Sequence, residues 1–310
     1  ELCKLLAQHL PPSLEVTYLT NSGTEAIEGA MKLAKRATGK TGFVAAKQAY
    51  HGSSQGALSL LGVESQKEGY HPLLDEVDFI SFNNLAELEK INTNTAGVVL
   101  ETIQGGAGFI LPENDYLKAV KARCEEVGAL LILDEIQPGI GRTGKLFAFE
   151  HYGITPDILV IGKGLGGGMP IGAFCSSADF MEQLTHKPSL GHITTFGGNP
   201  VIAAAALATL KTIYRKKLMN QIEEKEQLFR TLLVHPKIKQ INGRGLMLAP
   251  IFEKEEEVPA IVQSCLDKGL ILFFLLWEKK AVRISPPLNI SHREIKKGCA
   301  ILLEVLDELQ

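Results

Sequence analysis

Ala129–Leu133 is an unbroken apolar run that stops at two acids, Asp134 and Glu135. A strand without a polar face must be covered on both sides, as the inner strands of a parallel sheet are. In the preceding segment, Asp115–Val127, apolar Leu117, Val120 and Cys124 recur at three- and four-residue spacing, which predicts an amphipathic helix, with Gly128 as its left-handed stop. Gly97–Leu100, Ile158–Ile161 and Ile171–Cys175 repeat the short-strand pattern between about residues 40 and 180. Strands alternating with helical patterns predict an α/β fold, a mostly parallel sheet flanked by helices, rather than a sandwich or a bundle.

The flanks of this region read differently. Glu1–Leu10 has a helical pattern, and Asn199-Pro200 is the N-cap and first turn of a second, alanine-rich helix through Ile202–Leu210. Beyond Tyr214 the composition turns charged, and Pro236 and Gly243 break the pattern. Lys211–Gln221 is read as a connection, giving a large domain over residues 1–213 and a smaller C-terminal α+β domain over 214–310 that ends in the helix Ser291–Leu309.

Composition excludes several function classes. With 310 residues, 45% hydrophobic and 22% charged, the chain can bury a sizeable core and is not a disordered one. A net charge of -3 without a long basic run argues against a nucleic-acid partner. The longest apolar run, Gly269–Trp277, is far short of the roughly 20 residues needed to span a bilayer, and is expected as a buried strand, with no membrane role. Five cysteines (Cys3, Cys124, Cys175, Cys265, Cys299) lie scattered without CxxC spacing, which suits a reducing compartment and a cytoplasmic location. Cys124 and Cys175 read as small core residues, and no metal-ligand spacing stands out.

Four segments fall where an α/β sheet places its chemistry, at and beyond the carboxyl ends of strands. Asn21-Ser22-Gly23-Thr24-Glu25-Ala26 leads from a strand into a helix, whose first N–H groups could take a phosphate or could be an ordinary cap. Asp134 closes a wholly apolar strand, where a carboxylate needs a cationic partner such as a protonated heterocyclic nitrogen; the other readings are a pair with Arg142 or a cap on a turn. In Ile161-Gly162-Lys163-Gly164-Leu165-Gly166-Gly167-Gly168-Met169-Pro170, the low-dielectric strand end favours a neutral Lys163 amine suited to Schiff-base chemistry. The glycines there do not make a dinucleotide loop, because Met169 stands where the third glycine is required and no helical pattern follows. Thr194-Thr195-Phe196-Gly197-Gly198-Asn199-Pro200 is a loop entering a helix, a turn or a second phosphate donor.

These segments, together with Tyr50-His51-Gly52, stand in an order and spacing that resembles the class III pyridoxal-phosphate (PLP) aminotransferases, the group of the ornithine, acetylornithine and 4-aminobutyrate enzymes. The resemblance extends over essentially the whole chain and implies the fold-type I PLP-dependent transferase architecture. It implies that Lys163 is the Schiff-base lysine and proton shuttle, that Asp134 keeps the pyridine nitrogen protonated, and that Gln137 meets the ring hydroxyl. Tyr50 then stacks on the ring with His51 supporting it, and Ser22, Gly23 and Thr24 form the phosphate turn. Thr195 reaches the phosphate of a neighbouring subunit, so a homodimer with shared sites is implied, and Thr194 lies beside the substrate. Arg283, in Val282-Arg283-Ile284-Ser285-Pro286-Pro287-Leu288, would pair with a substrate carboxylate, the other reading being an arginine spent on loop carbonyls. Glu101 would order water or side chains near the ring.

Three positions depart from the pattern. Gly106 stands where many members carry a glutamate that masks the arginine, Ser53 where the ornithine and acetylornithine enzymes carry an arginine, and Thr102 where a proline is frequent. The resemblance also implies a further segment ahead of Glu1. The implied reaction is amino transfer from an amino acid or ω-amine to a 2-oxo acid such as 2-oxoglutarate. The same residues would also serve a decarboxylating transaminase or an aminomutase. A catalytically silent scaffold is the reading from another class, opposed by the intact Lys163, Asp134 and Gln137.

Overall fold

The computed structural model describes residues 1–309; Gln310, the last residue of the expected small domain, lies outside them. The chain divides into two compact units. The first comprises residues 1–102, 112–140 and 148–212, and the second residues 103–111, 141–147 and the chain from Ile213 onward. Two short insertions of the second unit are thus spelled inside the sequence of the first.

The first unit runs α1 (Leu2–His9), β1 (Val16–Thr20), α2 (Gly23–Thr38), β2 (Gly42–Ala46), α3 (Gln55–Ser59), β3 (Val77–Ile80), β4 (Thr95–Glu101), α4 (Tyr116–Val127), β5 (Leu130–Asp134), β6 (Ile158–Gly162), β7 (Gly172–Ser176), α5 (Ala178–Glu182) and α6 (Pro200–Arg215). Its described residues form a seven-stranded sheet in the order β1-β7-β6-β5-β4-β2-β3. β2 to β6 pair in parallel, while β7 is antiparallel to both β6 and β1. β1 therefore points the same way as β6, and the carboxyl ends of β1, β2, β4, β5 and β6 share one edge. Strands β2, β4, β5, β6 and β7 are buried at every residue, as their largely apolar spelling requires.

One helix carries much of this packing. Along α2, Ala26, Ile27, Ala30, Met31, Leu33 and Ala34 cover Phe43, Val99, Ile132, Val160 and Phe174 of the sheet. Gly29 lets the helix come close, since a Cβ there would stand 2.3 Å from the Phe174 ring. Ser22 caps the helix by accepting from Glu25 N, and Gly39 ends it in the left-handed conformation at φ 70°. α4 ends at Gly128 in the same way, with φ 68°.

The second unit contains α7 (Ile222–Leu232), β8 (Ile238–Arg244), β9 (Met247–Phe252), α8 (Glu257–Asp267), β10 (Phe273–Phe274), β11 (Val282–Arg283) and α9 (His292–Glu308). β8 and β9 form one antiparallel pair and β10 and β11 another, and the bridges Leu248↔Ile284 and Ile251↔Ala281 join them. Phe229, Leu248, Phe252, Ile261, Val282, Ile284, Ile295 and Leu302 are among the side chains of its core. A reciprocal capping box between Ser291 and Glu294 starts α9.

Two expectations need correcting. Gly269–Trp277 is not a buried strand: only Phe273–Phe274 is extended and paired, and Ile271 and Phe273 are 80% and 57% exposed. Leu272 and Leu275 face the core while their neighbours line an outer edge, so the run is apolar on both faces with only one face covered. The segment read as a connection, Lys211–Gln221, begins inside α6, which continues to Arg215 because no proline or glycine interrupts it. No described helix is long and apolar enough to cross a membrane.

Candidate active site

Asp134 is the last residue of β5, paired across to Glu101 at the end of β4 and to Val160 in β6. The strand delivers it into a buried position, 4% exposed, where a bare carboxylate would be costly. Its oxygens are satisfied from two directions. Oδ1 accepts from Ile136 N at 2.9 Å, and Oδ2 lies 2.9 Å from His51 Nδ1. Burial pulls the His51 pKa down, but the hydrogen bond and charge of Asp134, with the charge of Glu101, outweigh it and leave the pKa raised. The other ring nitrogen, His51 Nε2, is buried without a hydrogen-bond partner among the described residues. Of the readings that the sequence left open for Asp134, the turn cap is present in the bond from Ile136 N, whereas Arg142 is otherwise engaged, donating to the carbonyls of Leu246 and Pro286.

Lys163 follows β6 directly, on the strand beside Asp134. It holds φ at 39°, a left-handed conformation that costs a side-chain-bearing residue of order 1 kcal/mol or more and tends to persist at functional sites. The expectation was of low-dielectric surroundings at the strand end; the residue itself is exposed, one step past the sheet edge on a turn of Lys163–Gly166. Gln137 is half-buried in the turn that follows β5, and Glu101 is buried at the end of β4.

The turn Ser22-Gly23-Thr24 is wedged against the sheet edge so closely that side chains are excluded around it. A Cβ on Gly172 would stand 2.0 Å from the Ser22 carbonyl, one on Gly23 2.7 Å from Ile136 Cδ1, and one on Gly52 2.3 Å from Thr24 Oγ1. Thr24 is fixed by a relay: its hydroxyl meets Ser54 Oγ at 2.5 Å, and Ser54 Oγ donates to Glu28 Oε1 at 2.6 Å. The same Glu28 oxygen accepts from Gly56 N and Ala57 N, which ties α3 to α2. Asn21 donates to Glu25 Oε2 and to Thr194 Oγ1, the latter at 2.9 Å, so the loop carrying Thr194 and the exposed Thr195 is anchored to the turn after β1. Tyr50 is 38% exposed, and its hydroxyl lies 3.2 Å from Ser53 Oγ. Ser22, Gly23, Thr24, Tyr50, His51, Glu101, Asp134, Gln137 and Lys163 therefore follow the ends of strands that share one edge of the first unit.

Glu135 carries no role in the sequence pattern beyond being the second of two acids. The residue after Asp134 points the other way, is fully buried, and accepts from Thr102 Oγ1 at 2.7 Å, Ala148 N at 2.8 Å and Phe149 N at 2.7 Å. Burial pushes its pKa up to about 7 against the lowering effect of those three donors. The doubled acid was the available signal, since successive side chains at a strand end face opposite sides and each needs its own partners. Thr102, where a proline was the more frequent residue, supplies one of them.

Arg283 lies in the second unit, on β11. It makes no ion pair and no hydrogen bond among the described residues, so it is not an arginine spent on loop carbonyls. Its guanidinium lies 5.1 Å from the centre of the Phe273 ring, and partial burial lowers its pKa. In the same unit Gly106 has no room for a side chain: a Cβ would stand 2.8 Å from Trp277 Cδ1 and Nε1, while the Gly106 carbonyl accepts from Trp277 N at 2.9 Å.

Comparison with known proteins fits this arrangement. The profile of the aminotransferase class-III family matches residues 1–306. A putrescine aminotransferase of Pectobacterium atrosepticum is 41% identical over 99% of this chain and 69% of its own length. An acetylornithine aminotransferase of Caldanaerobacter subterraneus subsp. tengcongensis is 38% identical over 94% of this chain and 76% of its own. The crystal structure of the ornithine aminotransferase of Toxoplasma gondii ME49 superposes with a TM-score of 0.91 at 30% identity, covering 99% of this chain and 76% of the other. A second structure of the Toxoplasma gondii enzyme, with a TM-score of 0.89, is described with PLP at partial occupancy in its active site. With its mostly parallel sheet and a family match over residues 1–306, the chain belongs to the class-III aminotransferases, PLP-dependent transaminases of fold type I.

Proposed function

We propose that this protein moves an amino group from an ω-amine donor, of the ornithine, acetylornithine, 4-aminobutyrate or putrescine kind, to a 2-oxo acid, with 2-oxoglutarate as acceptor. The observation that carries the reading is the pairing of a buried carboxylate, Asp134, with an amine, Lys163, at the carboxyl ends of the adjacent strands β5 and β6. The donor set suits PLP: a carboxylate backed by His51 for the pyridine nitrogen, and a glycine-lined turn at the start of α2 for the phosphate. When bound, PLP supplies an electron sink that accepts charge from the amine-bearing carbon of the donor.

The roles of the chain's own residues follow from their positions. His51 orients Asp134 and holds its negative charge in place through Nδ1. The amine of Lys163 takes the proton from the amine-bearing carbon and returns it within the site, which asks for a group of adjustable charge on a short tether. Thr24, fixed by Ser54 and Glu28, would hold the phosphate, Gln137 would meet the ring hydroxyl, and Tyr50 would lie against the ring. Arg283 takes the carboxylate of the acceptor.

A homodimer with shared sites is part of the proposal. Leu190, Ile193, Phe196 and Val201 flank Thr195 in sequence and are 66–75% exposed, apolar surface on one segment that a second subunit would cover. The scattered cysteines, all free thiols among the described residues, suit the cytoplasm.

The test is a panel of ω- and α-amines given to the PLP-loaded full-length protein, scoring conversion of the bound cofactor by its absorbance. Putrescine and ornithine-like donors are expected to convert it. Lys163→Ala is expected to lose turnover together with borohydride trapping of the cofactor. Full activity in that variant would end the assignment.

A further inference from the structure

A half-buried arginine without an anion is an unfinished interaction. Within the second unit, Arg142 donates to two carbonyls, and Arg230 pairs with Glu226 while donating to the carbonyls of Ile241 and Gly243; Arg244, also half-buried, has neither an anion nor an aromatic ring beside it among the described residues. Arg283 has no such partner among the described residues. What it does have is Phe273, its cross-strand partner in the β10–β11 pair, with the guanidinium 5.1 Å from the ring centre.

We infer that Phe273 is a positioning residue for Arg283, holding the guanidinium ready for a substrate carboxylate and so selecting carboxylate-bearing substrates. An aromatic face attracts the cation and limits where it can go, yet it uses none of the five N–H donors. A salt bridge or a carbonyl would have positioned the side chain only by consuming donors that the ligand needs. The register does the placing: directly opposed residues on antiparallel strands project to the same face with their side chains in reach. Phe273 itself is 57% exposed, so it adds little to the core that the neighbouring Leu272 helps to fill. An exposed ring kept beside an unpaired guanidinium has a use that burial does not explain.

The inference rests on the reading of Arg283 as the carboxylate site, and the experiment separates the two. The PLP-loaded protein is titrated calorimetrically with glutarate, a dicarboxylate with no oxo group, and both half-reactions are followed by absorbance. Phe273→Leu is expected to weaken glutarate binding roughly 3- to 10-fold, the size of a partly desolvated cation–π contact. It should raise KM for the 2-oxo acid by a similar factor while kcat, the melting temperature and the half-reaction with putrescine, which has no carboxylate, stay near wild type. Phe273→Tyr, which keeps the aromatic face, should restore binding. If Arg283→Ala binds glutarate as wild type does, the carboxylate role of Arg283 fails. If Arg283→Ala loses binding and Phe273→Leu does not, only the positioning role is overturned. It is overturned equally if Phe273→Leu slows the putrescine and 2-oxo acid half-reactions alike, or if Phe273→Tyr fails to rescue.

Discussion

Adjacent acids at the end of β5 meet opposite fates. Asp134 faces His51 and the strand-end site, whereas Glu135 turns into the protein and ties the ends of β4 and β5 to residues 148 and 149. Burial raises the Glu135 pKa from 4.5 to about 7, so the folded state binds this proton more tightly than the unfolded chain does. The stability it contributes is complete below about pH 4.5 and is lost as pH rises through about 7, a change of about 3 kcal/mol for a shift of this size. Glu135→Gln should flatten this part of the stability profile, measured by denaturant melts across the same range. An unchanged slope would mean that Glu135 stays ionised throughout. The sequence shows both acids but not this division, because which carboxylate meets a histidine 83 residues away depends on the paths of β2 and β5.

Between elements, the meeting of residues 103–111 with the segment after β10 has a steric consequence. Trp277 donates its backbone N–H to Gly106 and lays its indole where a side chain at 106 would go. Gly106→Glu should therefore cost about 1–3 kcal/mol of stability, the usual price of overpacking, and Trp277→Ala in the same chain should recover most of it. Equal stability of wild type and Gly106→Glu by thermal melting would show that the indole moves freely aside. From the sequence, Gly106 was a departure from a pattern; the structure adds the residue that occupies its space. The strands, by contrast, were readable in advance. Gly97–Leu100, Ala129–Leu133, Ile158–Ile161 and Ile171–Cys175 each fall within a residue or two of β4, β5, β6 and β7, because burial on both faces leaves an uninterrupted apolar spelling. Gly269–Trp277 has the same spelling and a different outcome, since hydrophobicity alone does not say whether both faces find a cover.

At the scale of the whole molecule, the shared-site proposal makes a prediction that a monomer could not meet. Lys163→Ala and Thr195→Asp should each be inactive alone, the second because a carboxylate would face the neighbour's phosphate. Mixed after unfolding and refolding together, they should regain turnover, because one site in each hybrid dimer then has both an intact lysine and an intact threonine. Absence of any regain, with hybrids demonstrated by mass, would place Thr195 in its own subunit's site or in none. The sequence by itself determined the layered α/β class, the buried strands and four strand-end motifs, because periodicity and apolar runs are local properties that survive in one dimension; the fifth, at residues 194–200, follows α5 rather than a strand. Only the tertiary structure decided that His51 backs Asp134, that Glu135 is a buried tether, that Trp277 fills the space beside Gly106 and that Phe273 underlies Arg283. Each of these is a contact between segments far apart in the chain, set by strand order and register, which no single segment encodes.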